Sequence, residues 1–261
     1  MSKFELIAFA NADELAQAVA RKWLDEIESA KRAGQKHCVA LSGGRITQKF
    51  FAEVVEQAKT RKIGGGGAPS LPTNVHFVWA DERCVPPDDP ESNFKLANEL
   101  LFAPLEIAEN QIHRIRGELP PDKAAALATA EILRIIPAPS PSPRRGEGRG
   151  EGENYLPLLD LVFLGMGEDG HVASLFPGEI EMAGSDKSIF RAVKNSPKPP
   201  PNRVTLGYTP IIVARQVWVL VSGDGKVASL RKSLYGDGQT PLGKVTQFRT
   251  QTSIFCDFKL L

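Results

Sequence analysis

The run Leu161-Val162-Phe163-Leu164-Gly165-Met166-Gly167-Glu168-Asp169-Gly170-His171 restricts this chain more than any other segment. Four consecutive large apolar residues suit a strand covered on both faces, the central position of a parallel sheet. The glycines at 165, 167 and 170 then let the backbone turn sharply and approach a ligand closely. In open α/β sheets ligands bind beyond the carboxyl ends of the strands. His171 is therefore placed where a substrate sits, and an imidazole exchanges protons near neutral pH.

Similar strand-to-helix exits recur along the chain. Phe4 to Ala8 reads as a strand, followed by a helix capped by Asn11 or Asp13 with Leu15, Val19, Trp23 and Ile27 on one face. Cys38 to Leu41 reads as a buried strand turning through Ser42-Gly43-Gly44 into a helix that carries Phe50, Phe51, Val54 and Val55. Val75 to Trp79 is a strand ending at Asp81-Glu82-Arg83, and Ser92–Phe102 and Asp122–Ile136 read as helices. Val217 to Val221 is a strand and Asp224 to Tyr235 a helix, whereas Phe190–Val193 is a weaker strand and Val204–Leu206 has no clear assignment. Strands alternating with helices imply an α/β fold with a mostly parallel sheet flanked by helices. One domain over residues 1–261 is expected, interrupted by Pro137–Glu153, a low-complexity insertion without a large apolar side chain that is expected to be disordered. Gly64 to Pro72 reads as a flexible connection.

Charge rules out several function classes. With 32 basic and 31 acidic residues the net charge is +1, so neither nucleic acid nor an anionic membrane is an expected partner, and any anion site must be local. No apolar run reaches membrane-span length, and Met1-Ser2-Lys3-Phe4-Glu5 lacks the apolar stretch of a secretion signal, so none is expected. Cys38, Cys84 and Cys256 are odd in number and far apart, which argues against a disulfide framework or a cysteine zinc site and points to a reducing cytoplasm. The other histidines, His37, His76 and His113, show no metal-binding spacing, so no metal is expected.

Four segments carry chemistry. Ser42-Gly43-Gly44-Arg45 is a strand-to-helix turn whose exposed amides and helix dipole suit an anion, or simply a tight turn. Ser42 and Thr47 would supply hydroxyls there. At the next strand exit Arg83 is a planar donor for phosphate, and Asp81 or Glu82 can orient a catalytic group; the alternative is a surface ion cluster. In the third segment Asp169 can hold the imidazole of His171 in one tautomer, so that His171 acts as general base. Ser174 lies nearby without the elbow motif of a serine nucleophile. In the fourth, Arg203 and Lys226 are either phosphate contacts or solvated charges.

Taken together, Ser-Gly-Gly at 42–44, Asp-Glu-Arg-Cys-Val-Pro at 81–86 with Ser-Asn at 92–93, Leu164 to Gly178, Arg-Val-Thr at 203–205 and Gly-Asp-Gly-Lys at 223–226 resemble the 6-phosphogluconolactonase family along nearly the whole chain. The resemblance implies a Rossmann-like fold shared with amino-sugar phosphate isomerases. It also implies hydrolysis of 6-phospho-D-glucono-1,5-lactone in the pentose phosphate pathway, without an organic cofactor. By motif position it makes His171 the general base supported by Asp169, with Arg83 and Lys226 gripping the phosphate. Ser42, Gly43 and Gly44 line that end, and Arg203 stands close by. The family's first motif usually continues Ser-Thr-Pro, and Arg45-Ile46-Thr47 departs from it: the longer side chain either adds a phosphate contact or crowds the loop. The implied partner is a small sugar-phosphate lactone, and a monomer is expected. Competing readings are a glucosamine-6-phosphate isomerase or deaminase and a non-catalytic sugar-phosphate sensor. Arg83 and the ending Ser174-Leu175-Phe176-Pro177 differ from the isomerase pattern, and His171 with Asp169 argues against the sensor.

Overall fold

The computed structural model describes residues 3–61, 70–136, 156–178 and 188–260. The Pro137–Glu153 insertion and most of the Gly64–Pro72 connection lie outside the described residues.

Strand β1 (Phe4–Ala8) leads into α1 (Ala12–Arg32), where the Asn11 side chain accepts the N–H groups of Asp13 and Glu14 and so caps the helix. Next come β2 (His37–Leu41), α2 (Arg45–Arg61) and β3 (Val75–Trp79). Tryptophan and phenylalanine side chains knit these layers together. The Trp23 ring lies 5.3 Å from that of Phe163 and 5.5 Å from that of Phe50, and all three side chains are buried. Burial of each is worth about 1.5–3 kcal/mol.

The segment expected to be one helix from Ser92 is α3 (Asn93–Ala97) running into a π-helical turn (Asn98–Phe102). Helix α4 (Pro121–Ile135) and strand β5 (Leu161–Gly165) follow. Residues 161–164 of β5 are all buried, as the apolar run requires. After α5 (Tyr208–Val213) comes β8 (Gln216–Val221) and a 3-10 turn (Asp224–Lys226), so Lys226 sits in the lead-in to α6 (Val227–Tyr235) rather than inside it. Helix α7 (Pro241–Phe248) and strand β9 (Thr252–Cys256) complete the chain, and neither was signalled by the sequence.

Six strands form a parallel sheet in the order β1-β9-β8-β5-β2-β3. The chain leaves β2 toward β3 on one side and leaves β5 toward β8 on the other. The carboxyl ends of β2 and β5 therefore form the topological switch point, where such sheets bind ligands. A second, three-stranded antiparallel sheet stands beside it in the order β4-β7-β6: β4 is Asp81–Arg83, β6 is Phe190–Val193 and β7 is Arg203–Leu206. This sheet corrects the reading of Asp81–Arg83 as a bare strand exit and assigns Val204–Leu206 to its central strand. Among the described residues no helix is long and apolar enough to cross a membrane.

Candidate active site

Three adjacent carboxyl strand ends and the small sheet enclose a cavity of about 150 Å³. The β2 exit supplies Ser42 to Ile46, β4 supplies Asp81 and Arg83, and the β5 exit supplies Gly165 to Gly167 and His171. Arg203 comes from β7 and Lys226 from the turn after β8. Of the binding residues singled out from sequence, Thr47 and Glu82 do not line this space; the others do. Asp169 stands just behind the wall, bonded to His171.

The imidazole is oriented by its own segment. Its Nδ1–H faces Asp169 Oδ1 at 2.5 Å, and the His171 backbone N–H donates to the same oxygen at 3.3 Å. With the proton on Nδ1, Nε2 keeps its lone pair. The ring packs against Phe176 at 4.9 Å between centroids. It also lies directly on Gly167, where a Cβ would fall 2.0 Å from two ring atoms, so only glycine admits the ring there. Burial lowers the proton affinity of His171, against the opposing pull of Asp169, and the neutral base is favoured. Burial would raise the Asp169 carboxyl, but the hydrogen bond and charge of His171 outweigh it and keep the group ionised.

The cations fall into two groups. Arg45 and Lys226 line the cavity together with the Gly43-Gly44 turn at the start of α2. Burial lowers the proton affinity of Lys226 and repulsion from Arg45 adds to the effect, against the attraction of Glu168 and Asp257. Neither makes an ion pair or side-chain hydrogen bond among the described residues. Arg83 and Arg203 form the other group. Arg83 Nη1 donates to the Glu91 carbonyl at 2.5 Å and lies 3.8 Å from the Glu91 carboxylate. Arg203 is buried, 3.9 Å from Asp81 Oδ2 and 3.4 Å from Ser174 Oγ.

Several polar residues build the wall instead of facing it. Ser42 Oγ donates to the Phe163 carbonyl at 2.7 Å, tying the β2 exit to β5, and Thr47 Oγ1 donates to the Gly43 carbonyl. Ser174 Oγ donates to Asp81 Oδ2 at 2.7 Å and is fully buried, which leaves no free nucleophile. Glu82 does not orient a catalytic group: its carboxylate accepts the N–H groups of Asn93 and Phe94, each at 2.8 Å, and caps α3. Sequence reasoning missed Asn93. Its Nδ2 donates to the Asp81 carbonyl at 2.9 Å, and its Oδ1 sits where a Cβ on Gly43 would fall, 2.0 Å away. The Ser92-Asn93 pair was the only signal for it.

A larger cavity of about 730 Å³ lies elsewhere, between α4 and the residues around His113. Several of its charges are matched internally: Arg114 pairs with Glu118, and Arg134 and His113 with Glu131. It stands off the switch point, so size alone does not mark the site. Among the described residues no three His, Cys, Asp or Glu side chains converge closely enough to hold a metal.

Residues 10–254 match the model of the family described as glucosamine-6-phosphate isomerases/6-phosphogluconolactonase. The chain belongs to this family. It is 33% identical over 232 residues to the 6-phosphogluconolactonase of Mycobacterium tuberculosis, covering 87% of this chain and 85% of that protein. The crystal structure of 6-phosphogluconolactonase from Thermotoga maritima superposes with a TM-score of 0.74 at 26% identity, covering 98% of this chain and 99% of that one. A monomeric glucosamine-6-phosphate deaminase shares the fold alone, with a TM-score of 0.73 at 18% identity over 98% and 97% of the two chains.

Proposed function

We propose that this protein hydrolyses 6-phospho-D-glucono-1,5-lactone to 6-phosphogluconate, as its most similar relatives are named for doing. The observation that carries the reading is an imidazole held on its Nδ1 side by Asp169, in a cavity that is also lined by Arg45 and Lys226, neither of them in an ion pair among the described residues. A phosphorylated cyclic ester matches both features.

In this reading the phosphate dianion settles against Arg45, Lys226 and the amides at the start of α2, which adds the helix dipole to the two charges. Arg45 is then an added contact, not an obstruction. Arg83 joins Lys226 in gripping the phosphate and Arg203 stands close by, the two guanidinium groups held in place by Glu91 and Asp81. Holding the phosphate orients the ring, so that binding energy at one end serves the reaction at the other. His171 Nε2 takes a proton from water as the water oxygen bonds to C1, and Asp169 stabilises the resulting imidazolium. The tetrahedral intermediate collapses by breaking the C1–O5 bond, and the imidazolium returns the proton to O5. The products are the free acid and the neutral base. The site is complete within one chain, which supports a monomer, and the cysteines support a cytoplasmic setting.

The test measures lactone disappearance above spontaneous hydrolysis, with glucosamine 6-phosphate run in parallel. Enzymatic hydrolysis of the lactone without ammonia release from the amino sugar is expected. Deamination, or no turnover of either compound, would refute the assignment.

A further inference from the structure

Arg203 holds more than the cavity wall. Its Nε donates to the Pro200 carbonyl at 3.1 Å, and its Nη2 to the carbonyls of Pro199 and Lys198 at 2.8 and 3.3 Å. Ser196 closes the same turn. Its Oγ donates to the Lys198 carbonyl at 2.9 Å and accepts the Lys198 N–H at 3.2 Å, while its own N–H donates to the Pro201 carbonyl at 2.8 Å. Prolines at 199, 200 and 201 restrict the backbone further. A surface turn this heavily bonded holds its side chains in one place.

What it presents is Lys198. The Nζ atom lies 3.8 Å from Asp169 Oδ1, the same oxygen that accepts the Nδ1–H of His171. Lys198 does not line the cavity, and its side chain is 44% exposed, so it is not itself poised on a substrate. A carboxylate bonded to an imidazole favours the imidazolium. A general base working near neutral pH must start unprotonated. An ammonium beside the shared oxygen draws off part of the carboxylate's field and opposes early protonation.

We propose that Lys198 is a positioning residue for the general base: by sharing the Asp169 carboxylate with the imidazole, its ammonium keeps His171 neutral to lower pH. The proposal rests on the reading of His171 as the base of lactone hydrolysis. Other charges also face the ring. Asp81 on β4 favours the imidazolium. Arg83 on β4, Arg203 on β7, Arg45 on α2 and Lys226 beyond β8 line the same cavity, but none of them bonds to Asp169 among the described residues. Lys198 alone acts through the dyad's own oxygen, and its charge does oppose protonation of His171.

The test compares Lys198→Met, which keeps the stem and removes the charge, with Lys198→Arg, which keeps the charge. Two readouts are taken: the pH dependence of kcat/KM for lactone hydrolysis, and an NMR titration of the His171 ring in the ligand-free protein. For Lys198→Met the acid limb moves to higher pH, with the loss at pH 6 exceeding that at pH 8 by roughly three- to tenfold; solvent screening of a half-exposed charge sets this modest scale. The ring titration moves in the same direction, and Lys198→Arg restores both. An unmoved ring titration, or a loss equal at every pH, would overturn the proposal. If the wild type turned over no lactone, the functional reading would fall, while the ring titration would still decide the role of Lys198.

Discussion

Replacing Gly167 by alanine isolates the geometry of the base from its chemistry. A Cβ at this position lies 2.0 Å from both Cε1 and Nδ1 of His171 and 2.6 Å from Asp169 Oδ1. Nonbonded carbon contacts settle at about 3.5 Å or more, so the ring must retreat by roughly 1.5 Å. The backbone has little room to yield instead, because the Gly167 N–H donates to the His171 carbonyl and its carbonyl accepts the Gly170 N–H, each at 2.9 Å. Gly167 is not in the left-handed region, so alanine itself is unstrained there. A displacement near 1 Å at a reacting group costs about 10²-fold, and complete loss of general-base help about 10²–10⁴-fold. Gly167→Ala should therefore lower kcat by about 10²-fold or more. Affinity for 6-phosphogluconate should stay within a few-fold, and the melting temperature should fall only by what overpacking of about 1–3 kcal/mol implies. Initial rates above spontaneous hydrolysis, calorimetric binding of product and a thermal melt supply the three readings. Gly167→Ala should also add almost nothing to His171→Ala, since both remove one function. A folded Gly167→Ala variant with kcat within about threefold of wild type would refute the claim that the ring works from its seat on Gly167.

Three further outcomes follow from the same coordinates. Lys226→Ala should raise KM by roughly 10–100-fold with little change in kcat, because a charge-assisted hydrogen bond to phosphate is worth about 1.5–3 kcal/mol; steady-state kinetics at fixed ionic strength would show it. Arg249→Met should cost roughly 2–4 kcal/mol in a urea melt, with activity retained. Its buried guanidinium, pushed down to about 10 by desolvation, donates to the carbonyls of Ile211 and Ala214 at 2.8 and 2.9 Å and also to that of Ile212, and these would be stranded. Stability should fall as pH drops below about 6.5, the ordinary histidine value. His37 is buried, accepts the Trp23 Nε1–H at 3.2 Å and has its proton affinity lowered by burial, so the unfolded chain binds the proton more readily than the folded one. His37→Gln should make that limb shallower in melts taken from pH 7.5 to 5.5, leaving the share of His76, His113 and His171, whose proton affinities burial also lowers.

The parallel sheet was readable because its strands are locally self-evident. Cys38–Leu41, Leu161–Leu164 and Val217–Val221 are buried on both faces and carry unbroken apolar runs. The cavity residues at the β2 and β5 exits followed, because a strand exit has only one place to lead in such a sheet. The second sheet was not readable. Asp81–Arg83 and Arg203–Leu206 are three and four residues long, the first wholly charged, and nothing local pairs them across the 120 residues between Glu82 and Arg203. Their partnership, Glu82 opposite Val204, exists only once the chain has folded. Asn93 and Lys198 were hidden, and Glu82 was given the wrong role, because each acts through a contact beyond its own element.

That second sheet also explains why the site is electrically lopsided. The antiparallel register sets Arg83 directly opposite Arg203, and like charges so placed disfavour pairing. Repulsion from Arg83, on top of burial, lowers the proton affinity of Arg203, and Asp81 at 3.9 Å and Glu91 offset it only in part. Around the cavity four cations, Arg45, Arg83, Arg203 and Lys226, face a single lining carboxylate, that of Asp81, in a chain whose net charge is only +1. Glu91 meets Arg83 and Asp81 meets Arg203, but Arg45 and Lys226 make no ion pair among the described residues, unlike the charges around Glu131. Such a surplus makes sense where a dianion completes the set, and local rules tend to be broken where function requires it. In the proposed reading the charge conflict and the glycine seat under His171 belong to one design, the first serving an anion and the second a proton transfer.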